Sequence, residues 1–171
     1  VAGIGNIFLG DDGFGSEVAR RLASRPLGAG TRVVDYGIRG VHLAYELLDG
    51  CDTLILVDAL ARGEPPGTLF VLEPDSAGAG SGAPMDPHGM HPQAVLDLVA
   101  ELGGSVRRVL VVGCEPAQVE EGIGLSEPVA AAVDAAVELV QELVQEQVQE
   151  LVQEFVQEFV QHAEADAGKP R

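Results

Sequence analysis

Tryptophan is absent from this 171-residue chain and aromatic residues make up only 4% of it, so Val, Leu, Ile and Ala must fill any core. Apolar content is still 46%, enough to bury one proper core in a chain of this length. Cysteine is scarce too. Cys51 and Cys114 are far apart, lack any C-x-x-C context and lie beside strand-like runs, which reads as two buried thiols rather than a disulfide or a cysteine metal site. No run approaches the ~18 apolar residues that span a bilayer, and no basic segment leads into a short apolar one, so a soluble cytoplasmic protein is expected. The chain opens inside its first strand-like run without a methionine, which points to one or two preceding residues. Cations are the minority charge. Ten Lys and Arg against 27 Asp and Glu leave a net charge of −17, which excludes nucleic acid and anionic membrane as partners and leaves a basic protein possible. Also missing are G-x-S-x-G, H-E-x-x-H and G-x-x-x-x-G-K, the parts of serine hydrolases, zincins and P-loop enzymes.

What the chain does contain is a series of short apolar runs at Val1–Gly5, Thr31–Asp35, Thr53–Asp58, Thr68–Leu72 and Val106–Val112. Helical patterns follow the first, second and fourth. L-I-L-V and V-L-V-V lack polar alternation, as interior strands covered on both faces do. The expected fold is α/β: a three-layer sandwich with a mainly parallel five-stranded sheet, one antiparallel edge or hairpin strand and a long C-terminal helix. The antiparallel strand is Thr68–Leu72, because the nine residues after Asp58 are too few for a helical crossover. Residues 75–84 form a Gly/Ala/Ser stretch that reads as a mobile loop, and a helix from Pro92 to Leu102 follows.

The last helix should start near Ser126, a candidate N-cap, with Pro128 in its first turn. From Val137 it becomes a four-residue repeat of the V-Q-E-L type, whose apolar pair drifts about 40° per repeat. Such a period fits a heptad seam poorly, so the helix is expected to pack on the domain to roughly Leu143 and then run on as an exposed or frayed extension, with a self-associating helix as the alternative. This divides the chain into an α/β domain at 1–142 and a low-complexity helical or frayed extension at 143–171.

Chemistry is suggested by acids at strand ends: Asp12 after the first strand, Asp35 after the second, Asp58 closing L-I-L-V-D-A and Glu115 after V-V-G-C. In a parallel sheet these ends share one edge, where α/β folds place their ligands. Any one such acid ordinarily caps a helix or braces a turn. Four together repel one another and favour a cation. M-D-P-H-G-M-H-P adds imidazole, with His88 the candidate ligand and His91, at a helix entry, the solvated one. Two carboxylates and an imidazole suit nickel, zinc or another first-row divalent ion. The glycine-rich start is not a dinucleotide site, since Phe8 stands where G-x-G-x-x-G needs its third glycine.

Taken together, G-I-G-N-I-F-L-G-D-D-G-F-G, V-D-Y-G-I-R-G, L-I-L-V-D-A, D-P-H-G-M and V-V-G-C-E-P with E-G-I-G-L-S resemble the hydrogenase maturation endopeptidases over residues 1 to about 140. That family trims the C-terminal extension from the large subunit of nickel-iron hydrogenases. The resemblance implies that Asp12, Asp58 and His88 meet nickel carried in by the loaded precursor, which is cut after a basic residue near its metal-binding cysteines. No nucleotide, nucleic acid or membrane is implied. Metal-activated water with a carboxylate base is one route to hydrolysis, and Asp35 is the candidate for that base or for orienting the peptide. His91 occupies a position where relatives carry a polar or acidic residue, and the repeat after Glu138 has no counterpart in the family pattern. Two other classes fit the same three ligands: a nickel-binding assembly chaperone without protease activity, and a zinc-dependent hydrolase.

Overall fold

A computed structural model describes residues 1–74 and 92–167, with side-chain surroundings through residue 157; the glycine-rich stretch at 75–84, His88 and His91 lie outside these described residues. Five strands, β1 (Ala2–Ile4), β2 (Val34–Gly37), β3 (Thr53–Ala59), β4 (Leu69–Leu72) and β5 (Arg108–Cys114), form one sheet in the order β2-β1-β3-β5-β4. All neighbours are parallel except β4, which lies antiparallel against β5 at the edge. The Thr68–Leu72 run is thus an edge strand and not a hairpin partner of β3, because β5 inserts between them.

Helices α1 (Phe14–Leu22) and α4 (Glu127–Ala167) cover one face, and α2 (Gly40–Leu47) and α3 (Pro92–Glu101) the other. Strand alternation assigns the layers. Ile55, Val57, Leu110 and Val112 pack with Phe14, Val18, Val133 and Val140, while Leu54, Leu56, Val109 and Val111 pack with Leu43, Leu47, Val95 and Val99. Phe14, Val18 and Leu22 recur every fourth residue, so a single stripe of α1 faces the sheet.

The glycines of the opening motif serve this packing. A Cβ on Gly15 would sit 2.1 Å from the Val57 carbonyl oxygen, and one on Gly3 would sit 2.2 Å from the Gly15 oxygen, so α1 lies directly on β1 and β3. Gly5, at φ 125°, turns the chain out of β1 where a Cβ would meet the Asp12 carbonyl at 1.9 Å.

Between β1 and α1 runs a 3-10 turn, Gly10–Gly13, which carries both Asp11 and Asp12. Helix α1 begins directly after this turn, at Phe14. Asp11 is fully buried and accepts four hydrogen bonds: from the Ala117, Gln118 and Ser126 N–H groups at 2.8, 3.1 and 2.6 Å, and from the Ser126 hydroxyl at 2.8 Å. Backbone bonds of Gly10 and Phe8 to Gly122 zip the same two loops together. Ser126, expected as an N-cap, instead turns its hydroxyl to Asp11.

Two boundaries move. The β2 strand runs Val34–Gly37 and not Thr31–Asp35, so Asp35 lies inside it rather than at its end, in register with Gly3. On β5 the ladder runs two residues past Val112, through the buried Cys114. Cys51 is only half-buried, so one of the two expected buried thiols is partly exposed; both are free. Helix α4 keeps contact with the domain about a turn beyond Leu143: Val144 and Gln147 are buried, and Gln147 accepts from Thr53 and Arg108.

Two substitutions test this frame. Asp11→Ala strands three part-buried N–H groups and should cost about 2 kcal/mol in urea unfolding at neutral pH. Burial alone would raise the Asp11 carboxyl, but the bonds from Ser126, Gln118 and Ala117 outweigh it and hold the group below its usual range. Its contribution is therefore present above the ordinary carboxylate pKa and fades in acid, so the gap between wild type and Asp11→Ala should narrow toward about pH 3. Gly15→Ala drives a methyl into two strand carbonyls and should lower the melting temperature more than any alanine placed on the exposed face of α1.

Candidate active site

The parallel strands deliver their C-terminal ends to one edge, and the acids there divide into groups with different work. Asp58 is the penultimate residue of β3. Its neighbour Val57 faces α1 and α4, so Asp58 points to the α2/α3 side. It is 4% exposed, and the N–H of Ala59, at 2.9 Å, is its one hydrogen-bond donor among the described residues. Burial first, and the charge of Asp12 second, push its carboxyl well above the usual range.

Asp12 is half-buried and is aimed by the Asn6 N–H, which donates to its Oδ2 at 2.6 Å. Asp11 and Asp12, adjacent in the same turn, thus have different partners: Asp11 is saturated with donors, whereas Asp12 takes the Asn6 N–H and its charge acts on Asp58. The structure brings together two of the sequence-predicted ligands. The third, His88, lies outside the described residues, and among those residues no three acidic, histidine or cysteine side chains enclose an ion site.

Asp35 is not part of that pair. Its register with Gly3 turns it to the α1 side, the face opposite Asp58, where its Oδ1 accepts from the Ser16 hydroxyl at 2.7 Å and from the Gly37 N–H at 3.0 Å. The Arg39 guanidinium braces the same turn through the Asp35 and Tyr36 carbonyls. Asp35 keeps an exposed carboxylate at the mouth of a groove of about 470 Å³ between α1 and the start of α4.

Glu115 braces a turn. It accepts from the Arg62 and Gly63 N–H groups at 2.7 and 3.2 Å, fastening the β3–β4 connection over the end of β5. Burial raises its carboxyl, but the N–H donors of Arg62, Glu64 and Gly63 prevail and hold it low. The convergence expected of four acids is therefore a convergence of two, flanked by two with structural partners.

Neither thiol is poised as a nucleophile. Burial, with the charges of Asp11 and Glu115, pushes Cys114 up to about 11, and burial also raises Cys51. Around the acids stands an apolar rim: Ile7 and Phe8 after β1, Ile38 after β2, and Val119 and Ile123 after β5 are all exposed, Ile123 by 83%. Exposed apolar side chains concentrated at one edge mark a surface for another protein.

Sequence reasoning singled out Asp11 with Asp12 without separating their roles, and missed two supporting residues, Asn6 and Ser16. For Ser16 a signal existed, since a serine on the buried stripe of α1 needs a partner. For Asp11 and Asp12 the letters are identical, and only the turn separates their roles.

The family model described as hydrogenase maturation protease matches residues 16–143. That range holds Asp35, Asp58 and His88, while the turn with Asp11 and Asp12 lies just ahead of it. A hydrogenase expression/formation protein, HupM, of Azotobacter chroococcum is 37% identical over 137 residues, covering 78% of this chain and 65% of that protein. Among solved structures, the hydrogenase maturating endopeptidase HybD of E. coli superposes with a TM-score of 0.72 at 28% identity over 85% of this chain and 91% of its own. A hydrogenase 2 maturation peptidase from a Thaumarchaeota archaeon gives a TM-score of 0.66 at 32% identity over 84% and 96%. The chain spans about 65% of the length of the first curated relatives it matches. No described helix is long and apolar enough to cross a membrane. With the family model matching well over half of its length, the chain belongs to the hydrogenase maturation protease family.

Proposed function

We propose that this protein is an endopeptidase that removes the C-terminal extension of a nickel-iron hydrogenase large subunit after nickel has been inserted. Asp12, Asp58 and His88 are its contacts to the ion, and the ion arrives as part of the substrate. The observation that carries this reading is the pairing of Asp12 with Asp58. A buried carboxyl with one N–H donor, pressed upward by a neighbouring carboxylate, is stabilised by the arrival of a cation. The solved relatives named above as maturation peptidases support the reaction class.

A precursor without its ion would bring the two acids nothing to neutralise their repulsion, so discrimination follows from Coulomb's law. The exposed rim of Ile7, Phe8, Ile38, Val119 and Ile123 supplies apolar contact to the folded client around the ion. Asp35 orients the peptide or accepts the proton of the attacking water. Its Ser16 and Gly37 bonds fix one oxygen and leave the other without a donor among the described residues. A cytoplasmic setting is part of the proposal, and two free cysteines fit a reducing compartment.

Incubation with nickel-loaded precursor should shorten it while metal-free precursor stays intact; equal cleavage of both would overturn the ion-reading role. Asp58→Asn separates function from stability. Because the folded state raises the Asp58 carboxyl, the wild type loses stability as pH climbs from the ordinary carboxylate pKa through the folded one. Asp58→Asn should therefore melt higher than wild type at neutral pH, with the difference closing in acid. Precursor processing should fall by about 100-fold or more in the same variant. A variant that is no more stable at neutral pH, or that processes normally, contradicts the assignment.

A further inference from the structure

The groove between α1 and the start of α4 lies on the opposite side of the Asp12 turn from the ion contacts. At about 470 Å³ it falls within the ~300–1,000 Å³ range of ligand-binding clefts. Gly10 and Gly13 form part of its lining and add no side chain, while Leu125, Ala130 and Val133 give it an apolar wall. Four charged residues also line it: Glu17, Arg20, Arg21 and Asp35. Three of them are already paired. Glu17 meets Arg20 at 2.7 Å and Arg21 at 2.8 Å, and Arg21 pairs again with Asp134 at 2.5 Å. Asp35 differs. Ser16 and Gly37 donate to one of its oxygens, and Arg39 gives its bonds to the carbonyls of Asp35 and Tyr36. Among the described residues no cation forms an ion pair with the Asp35 carboxylate.

We propose that this groove is a subsite for an extended client segment carrying an aliphatic side chain and, beside it, a lysine or arginine; the inference rests on the endopeptidase reading above. The aliphatic group lies against Leu125, Ala130 and Val133, and the cation meets the Asp35 oxygen that has no donor. Charge selects the occupant. An anion would find both arginines already paired and would face the Asp35 carboxylate. A wholly apolar segment would strip water from that carboxylate and return no hydrogen bond. A cation on an aliphatic stem satisfies both parts, since the stem covers apolar wall and the head bonds the carboxylate. Position selects the segment. Gly10 and Gly13 bound the turn that carries Asp12, and Ile7 belongs both to the groove and to the exposed rim. A client strand that leaves its ion at Asp12 and crosses this turn enters the groove. Ser16 and Gly37 hold the carboxylate in advance, so little side-chain freedom is lost on binding. Of the two roles open to Asp35, orienting the peptide is the one this assigns.

Methyl NMR of the full chain tests the subsite without ion or cleavage. The probe is a Leu-Val-Arg peptide blocked at both ends, compared with versions in which citrulline or glutamate replaces the arginine; citrulline keeps the shape and removes the charge. The arginine peptide should shift the Leu125 and Val133 methyl signals with a dissociation constant on the order of 1 mM. It should bind about fivefold more tightly than the citrulline peptide, with the glutamate peptide weakest. Asp35→Asn still accepts from Ser16 and Gly37 through its amide oxygen and should erase the difference between arginine and citrulline. Ala130→Phe fills the groove from an exposed position and should remove the shifts for all three peptides. Unshifted groove methyls, equal binding of the arginine and citrulline peptides by the wild type, tighter binding of the glutamate peptide, or shifts that persist in Ala130→Phe overturn the proposal. Peptide binding as stated, by a chain that leaves nickel-loaded precursor uncut, keeps the cationic subsite and removes the endopeptidase reading.

Discussion

Two carboxylates that repel each other sit at one lip of the sheet, and the rest of the site is arranged to keep them there. Asp58 cannot move, because it belongs to a central strand paired on both sides, to β1 and to β5. Asp12 cannot retreat, because its turn is fixed from behind by Asp11, whose four bonds join the turn to the loop that enters α4. Asn6 then aims the Asp12 carboxylate with a 2.6 Å bond. An arrangement that disfavours its own ionised form persists only where the surrounding structure over-determines it. Here that surplus comes from two independent hydrophobic layers and from glycines that let α1 press onto the strands.

Much of this was legible before the structure. Uninterrupted runs such as L-I-L-V and V-L-V-V carry strand identity, burial on both faces and parallel pairing in one signal, because only a covered sheet accommodates them. Asp58 was legible for the same reason, since it closes such a run. What stayed hidden is the face each side chain takes. Asp35 looked like a fourth member of the crevice because its strand was read as ending there; the strand in fact continues to Gly37, and register with Gly3 places Asp35 within the ladder and on the opposite face. The split between Asp11 and Asp12 was hidden too, since one residue of rotation in a 3-10 turn has no counterpart in composition or period.

The C-terminal helix shows how a true observation about sequence can mislead in its scope. A four-residue repeat does drift, but only if both members of each apolar pair are required to face the core. Selecting one residue per turn, Val137, Val140, Val144 and Val148, recovers a straight seam, which the domain buries as far as Val144, with Val148 partly buried against the core. Gln147, buried among apolar neighbours yet bonded to Thr53 and Arg108, fixes the register of the helix on the sheet where hydrophobic contact alone would allow slippage.

Because the account depends on Asp12 and Asp58 acting as one electrostatic unit, the most direct measurement is a carbon-13 NMR titration of the Asp58 side-chain carboxyl in the wild type and in Asp12→Asn. The account predicts an Asp58 pKa above the ordinary carboxylate range in the wild type and a clear fall when the Asp12 charge is removed. Superimposable titration curves in the two proteins would show that the carboxylates do not feel each other, and the shared ion site would fall with that result.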